Sequence, residues 1–274
     1  MFDAFFVPPD LRSADVERMR SFGITEALVP LSSTRAVAHD SAQGDRAHSA
    51  SIAQAQALTT LLQGAGIHAW FADAISPNEE PERLWEHRWE ELCERVDAGE
   101  LAAIGELRVL EGSARALRVL DRHLALAADR EVPILVSWPG HLDVVWRRAL
   151  LARARDFAPY WWWTRVPASR LARLTSDGAG AIATIGGKGH SAPALVEAIA
   201  PLPTDRRVAL GSGRGRGLNP FALASVEIAA ATHVQAPDLS PALEGRSLRQ
   251  ALLDTRRPSD ARATTRPVAG VAAV

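Results

Sequence analysis

LAAIGELRVLEGSARALRVLDRHLALAADREVPILVSWP, residues 101–139, decides the fold. It opens on the apolar run 101–109, continues through a segment at 114–130 whose apolar residues recur at helical spacing, and ends on a second apolar run at 132–138. Continuous apolar strands of this kind suit a parallel sheet buried on both faces. Working outward in either direction gives the same unit again. Strands are predicted at 3–7, 25–31, 68–75, 101–109, 132–138, 160–166, 180–186 and 206–213, each followed by a helical segment. Eight β/α units in about 250 residues predict an α/β fold, the TIM (β/α)8 barrel, whose reactive groups project from the C-terminal ends of the strands. A doubly wound open sheet is the alternative.

Composition bounds the class. With 274 residues and 47% hydrophobic content, the chain can bury one large core. The reading is a single domain over 1–254, followed by a tail at 255–274 that mixes Pro, Arg, Thr and small residues without periodicity and reads as flexible. A net charge of −1 implies neither a nucleic acid nor an acidic membrane surface as partner. No stretch approaches the length of a membrane span, and the start, MFDAFFVPPDLR, lacks the basic flank and the apolar length of a secretory signal. One cysteine, Cys93, cannot form an internal disulfide, so a cytoplasmic protein is expected. Lys188 is the sole lysine among 31 basic residues.

Residues 101–139 resemble the TatD-like metal-dependent hydrolases, a branch of the amidohydrolase superfamily, in which a strand ends in Ala-Ile-Gly-Glu, a Leu-rich helix follows and the next strand ends in His-Thr-Pro. The likeness runs in register from Asp3 to about Thr232, with GIHAWFADAISP matching a strand that ends Ile-His-Pro and RRVALGSG one that ends Asn-Ser-Asp. The resemblance implies one or two divalent metals held by a His-x-His pair on the first strand, a Glu on the fourth, His on the fifth and sixth, and an Asp on the eighth. Position by position, the first pair falls on Phe5 and Val7, the Glu on Glu106, the next two His on Ser137 and Arg165, and the Asp on Gly213. The third-strand His-Pro becomes Ser76-Pro77. One family ligand survives, whereas a catalytic divalent site needs about three. Phe and Val carry no donor atom, and an arginine cannot deprotonate to become a ligand. The expectation is a barrel with no metal and no other cofactor.

Alternation along the strands fills the vacated mouth. Side chains two apart share a face, so Arg165 inward places Trp163 and Trp161 inward and Trp162 against the helices, and Ser76 inward places Ala74, Ala72 and Trp70 inward. Phe5, Val7 and Trp138 would wall a pocket whose charged groups are Glu106, Arg165, Lys188 and the arginines of GSGRGRGLNP, residues 211–220. Glu106 and Arg165 read either as an internal ion pair or as parts of a site in which Arg165, with Lys188 and Arg214 or Arg216, holds a ligand carboxylate or phosphate. Lys188 reads as a rim lysine able to form a Schiff base or as a lysine inherited from the family; His190, two residues on, as a general base or a solvated side chain. The Trp run reads as core filling or as a stacking platform.

GSGRGRGLNP fits neither a dinucleotide fingerprint nor a Walker loop, and no His, Cys or nucleophile-elbow pattern rebuilds a site elsewhere. Three functions stay open. The first is a catalytically degenerate barrel that binds a small anionic or aromatic molecule, or another protein, at its mouth, with homo-oligomerisation also open. The second is a metal-free biosynthetic enzyme with Glu106, Arg165 and Lys188 as catalytic residues and Ser76, Ser137, Trp138, Trp163, His190, Arg214 and Arg216 around the ligand. The third is a metal-dependent hydrolase with an atypical site.

Overall fold

The computed structural model describes residues 1–4, 13–31, 56–75, 85–109, 112–185, 191–212, 222–233 and 238–255. Its strands are β1 (Phe2–Asp3), β2 (Glu26–Pro30), β3 (His68–Asp73), β4 (Ala103–Leu107), β5 (Ile134–Ser137), β6 (Trp161–Thr164), β7 (Gly180–Thr184) and β8 (Val208–Gly211). All pair in parallel, in sequence order. Ala4 N–H donates to Leu210 O at 2.9 Å, and Asp3 accepts from Ser212 N–H (2.9 Å) and Ser212 Oγ–H (2.6 Å), so the first strand meets the last. The molecule is a TIM (β/α)8 barrel.

The helices follow the strands: α1 (Ser13–Ser21), α2 (56–64), α3 (Trp85–Asp97), α4 (Ala114–Arg130), α5 (Val144–Asp156), α6 (Leu171–Leu174, led in by a 3-10 turn at Ala168–Arg170), α7 (Ala192–Ile199) and α8 (Ala222–Thr232). Local chemistry sets their starts. Ser113 Oγ accepts from Ala116 N–H to begin α4, and Asp143 accepts from Val145 and Trp146 N–H to begin α5, satisfying amides that a helix terminus leaves without partners. Among the described residues no helix is long and apolar enough to cross a membrane.

Two apolar layers result, and they correct the expected phase of β6. Trp162 lies inside the barrel with Phe2, Leu28, Trp70, Ala72, Leu135, Ile182 and Ala209. Trp161 and Trp163 lie outside it, in the layer between sheet and helices with Ile134, Val136 and Leu150. The inward phase of Trp70 and Ala72 is as expected, whereas Ala74, beyond the end of β3, joins the outer layer. The reversal in β6 has a backbone cause. The strand ends at Thr164, and Arg165 takes a φ of 55°, a left-handed conformation that breaks the alternation, so its side chain reaches the mouth without its neighbours two residues back facing inward. An indole inside the barrel needs space on the adjoining strand. Trp162 is in register with Gly180, where a Cβ would lie 2.3 Å from the indole ring.

The N-terminal end of the barrel is sealed by α9 (Ser240–Leu243) and α10 (Arg246–Thr255), two helices beyond the eight repeated units. Leu248 and Leu252, at i and i+4 on α10, pack into the inner layer against Phe2 and Trp70. Glu26 accepts from Trp70 Nε1–H (2.9 Å) and Arg249 Nε–H (2.6 Å) at the same end. Arg207 lies 4.6 Å from the Trp162 ring and donates to the carbonyls of Ala158, Pro159 and Gly178; burial pushes its pKa down to about 10. The 255–274 tail lies outside the described residues except for Thr255, which ends α10.

Candidate functional site

Glu106 is the next-to-last residue of β4, and its side chain is fully buried. Its position depends on Gly105. There φ is 130°, and a Cβ would lie 2.5 Å from Leu135 O, so only glycine lets β4 approach β5 this closely as their register shifts between Ile104 and Leu107. The carboxylate is then held from β6. Arg165 donates from Nε to Oε1 at 2.8 Å and from Nη2 to Oε2 at 2.9 Å, a bidentate fork, while Thr164 Oγ1–H donates to Oε1. Burial disfavours the guanidinium charge, but the hydrogen bonds and charge of Glu106 outweigh it and hold Arg165 above its ordinary pKa. Its side chain keeps 31% of its surface exposed, so the pair presents a cationic group to the mouth and keeps its carboxylate covered.

The other predicted residues divide into three groups. Ser137 ends β5 half-buried, in register with Thr164, and Trp138 follows with its N–H donated to Thr164 O at 2.9 Å. Ser137 thus lies next to the residue before Arg165, whereas the Trp138 side chain packs on the outer layer and does not wall the mouth as expected. Nor does Trp163. It is buried between sheet and helices, in edge contact with Trp138 at 5.5 Å, and the left-handed Arg165 is the reason that the expected shared inward face fails for it. Ser76, Lys188, His190, Arg214 and Arg216 lie outside the described residues, as do Phe5, Val7 and Gly213.

Sequence reasoning missed three polar groups at the strand ends. Thr164 gave no signal beyond following the Trp run. Asp73, at the end of β3, accepts from Ala74 N–H and from Arg95 Nη1–H, both at 2.9 Å. Fully buried His123 on α4 is hydrogen-bonded through Nδ1 to Val119 O (2.8 Å) and accepts Ile75 N–H at Nε2 (3.3 Å), fixing the chain as it leaves β3. Those bonds require the neutral ring. Burial lowers its pKa from the usual 6.5 to about 4.

A catalytic divalent ion needs several donor groups with accessible lone pairs. Among the described residues no three His, Cys, Asp or Glu side chains group together as a metal site. Both Glu106 oxygens accept hydrogen bonds from Thr164 and Arg165, and among the described residues a guanidinium is the cation paired with that carboxylate. The described residues therefore do not fit the metal centre that the family resemblance implies.

The fold can now be compared with known structures. A TatD-like protein from Archaeoglobus fulgidus aligns over 92% of this chain and 100% of its own, with a TM-score of 0.68 at 18% identity. The chain has the TatD-like fold. The phosphotriesterase homology protein of Escherichia coli, solved with phosphate in its active site, aligns over 93% of this chain and 94% of its own, with a TM-score of 0.57 at 14% identity. A TatD family hydrolase from Entamoeba histolytica aligns over 77% and 72%, with a TM-score of 0.51 at 12% identity. No family model matches the sequence, and no curated protein does. The barrel architecture is thus shared by shape at low identity.

Proposed function

We propose that this chain is a catalytically degenerate TatD-like barrel that works by binding a small anionic or aromatic molecule at its C-terminal mouth, without the family's metal. The observation that carries the reading is the bidentate Arg165–Glu106 pair with Thr164, which commits the retained carboxylate to a resident cation. A buried carboxylate needs a compensating charge, and a guanidinium supplies it permanently where a metal would supply it exchangeably. The exposed part of Arg165 gives an incoming anion a charged edge. The Escherichia coli protein of similar fold holds a phosphate in its active site, which agrees with an anion as the ligand.

Elemental analysis of protein purified without chelator tests this reading directly. We expect metal well below one equivalent and no metal-dependent hydrolysis of phosphate or carboxylate esters. A stoichiometric, tightly held divalent ion that is lost in Glu106→Gln would overturn it.

A further inference from the structure

A second concave site lies on the flank of the barrel, between α5 and α6. Val144, Arg147, Arg148 and Leu151 fall on one face of α5, at i, i+3, i+4 and i+7, and confront Arg170, Arg173 and Leu174 across a cleft of about 270 Å³. Trp138 lines the end towards the barrel mouth. Among the described residues no acidic residue lines the cleft, and none of its four arginines has an acidic partner. The same helix shows the contrast. Arg153 and Arg155, further along α5, meet Asp121 (2.9 Å) and Asp177 (3.4 Å). Four cations facing one another across a gap between two helices make the cleft attractive to an anion.

We propose that this cleft binds a small molecule carrying a diphosphate group. One phosphate would leave most of the arginine charge uncompensated, whereas a diphosphate brings about three negative charges and enough oxygens for several guanidinium forks. The volume suits a small molecule and is too small for a folded partner. The Trp138 indole offers a flat surface at one end, so a diphosphate bearing an aromatic ring gains stacking that inorganic pyrophosphate lacks. The site is independent of the Glu106–Arg165 pair and does not rest on the binding role given to the mouth.

Isothermal titration calorimetry on the full chain tests it, with inorganic pyrophosphate, a nucleoside diphosphate and orthophosphate as probes. We expect saturable pyrophosphate binding that weakens with salt, orthophosphate binding at least about tenfold weaker, and loss of about tenfold or more in Arg148→Ser/Arg170→Ser. Both substituted side chains are exposed, so the variant should keep the melting temperature of the parent, and a melting curve checks this. Tighter binding of the nucleoside diphosphate, removed by Trp138→Leu, identifies a diphosphate ester as the ligand; equal binding identifies the inorganic ion. Absence of saturable pyrophosphate binding, or binding unchanged in the double arginine variant, overturns the proposal. If Arg165→Gln abolishes binding while the double variant retains it, the anion sits in the mouth; the cleft proposal then fails and the mouth reading stands.

Discussion

Arg165 places a guanidinium at the mouth by means that strand periodicity does not describe. Its left-handed backbone, at φ 55°, turns the side chain back over the barrel after Thr164 has already taken the inward position. Glu106 was legible because the Ala-Ile-Gly-Glu ending is a local motif, and its pairing with Arg165 was legible as one of two readings of a carboxylate facing a replaced ligand. The Thr164 contact was not, because the alternation expected for β6 was counted from Arg165. A positive φ at arginine carries no sequence signal comparable to glycine. The pair sets a stability expectation. Removing one partner leaves the other charge uncompensated, so Glu106→Ala should cost about 3 kcal/mol, the lower end for a broken buried pair because Arg165 keeps some solvent contact. Urea denaturation measures it, with Glu106→Leu/Arg165→Met expected to recover part of the loss. A single variant within about 0.5 kcal/mol of the parent would show that the pair contributes little.

Between elements, His123 joins α4 to the end of β3 and packs edge-on against Trp85 and Trp89 of α3. Trp85 and Trp89 stack on each other at 5.8 Å, with Arg122 4.3 Å from the Trp89 ring, so their i, i+4 spacing serves contact within the barrel's own helices. The neutral imidazole titrates on folding. Its folded pKa of about 4 lies below the usual 6.5, so the unfolded chain takes up the proton first. The stability it contributes is complete above about pH 6.5 and is lost as the pH falls towards 4. Between about pH 7.5 and about pH 5 the parent should lose roughly 2 kcal/mol more than His123→Gln in chemical denaturation. Parallel pH profiles for the two proteins would rule out this role for the buried ring. Nothing in the His spacing signalled it, since a histidine in an apolar helix reveals its partner only when β3 is laid against α4. The Trp162–Gly180 match was equally hidden: the glycine was visible, but the register that makes it necessary is tertiary.

At the scale of the molecule, the repeated β/α rhythm predicted a parallel sheet buried on both faces, which leaves a continuous apolar signature, and the count of eight units favoured the barrel over a doubly wound sheet. The α9–α10 seal was not predicted, since it follows the eighth unit and obeys no repeat. Closure is also outside what periodicity describes. Among the described residues it rests on Asp3, Ser212 and the Ala4–Leu210 backbone bond, which join the two ends of the sheet. Asp3→Ala leaves the Ser212 amide and hydroxyl without that acceptor and should lower stability by about 2 kcal/mol. Hydrogen exchange should report the loss locally, with faster exchange at Ala4 and Ser212 than at the interior amides of β5 and β6. Uniform acceleration over all strands would instead mean that closure and global stability are one cooperative event.

The Asp3–Ser212 contact spans 209 residues, and that distance along the chain becomes a delay in time during synthesis. At typical translation speeds, about 10 to 40 seconds separate the two residues at the ribosome. Through that interval β1 has β2 available on one side and nothing to pair with on the other. A nascent chain paused before residue 208 would present the exposed edges of an unclosed sheet, so chaperone engagement should persist until β8 has emerged and fall away once it has docked.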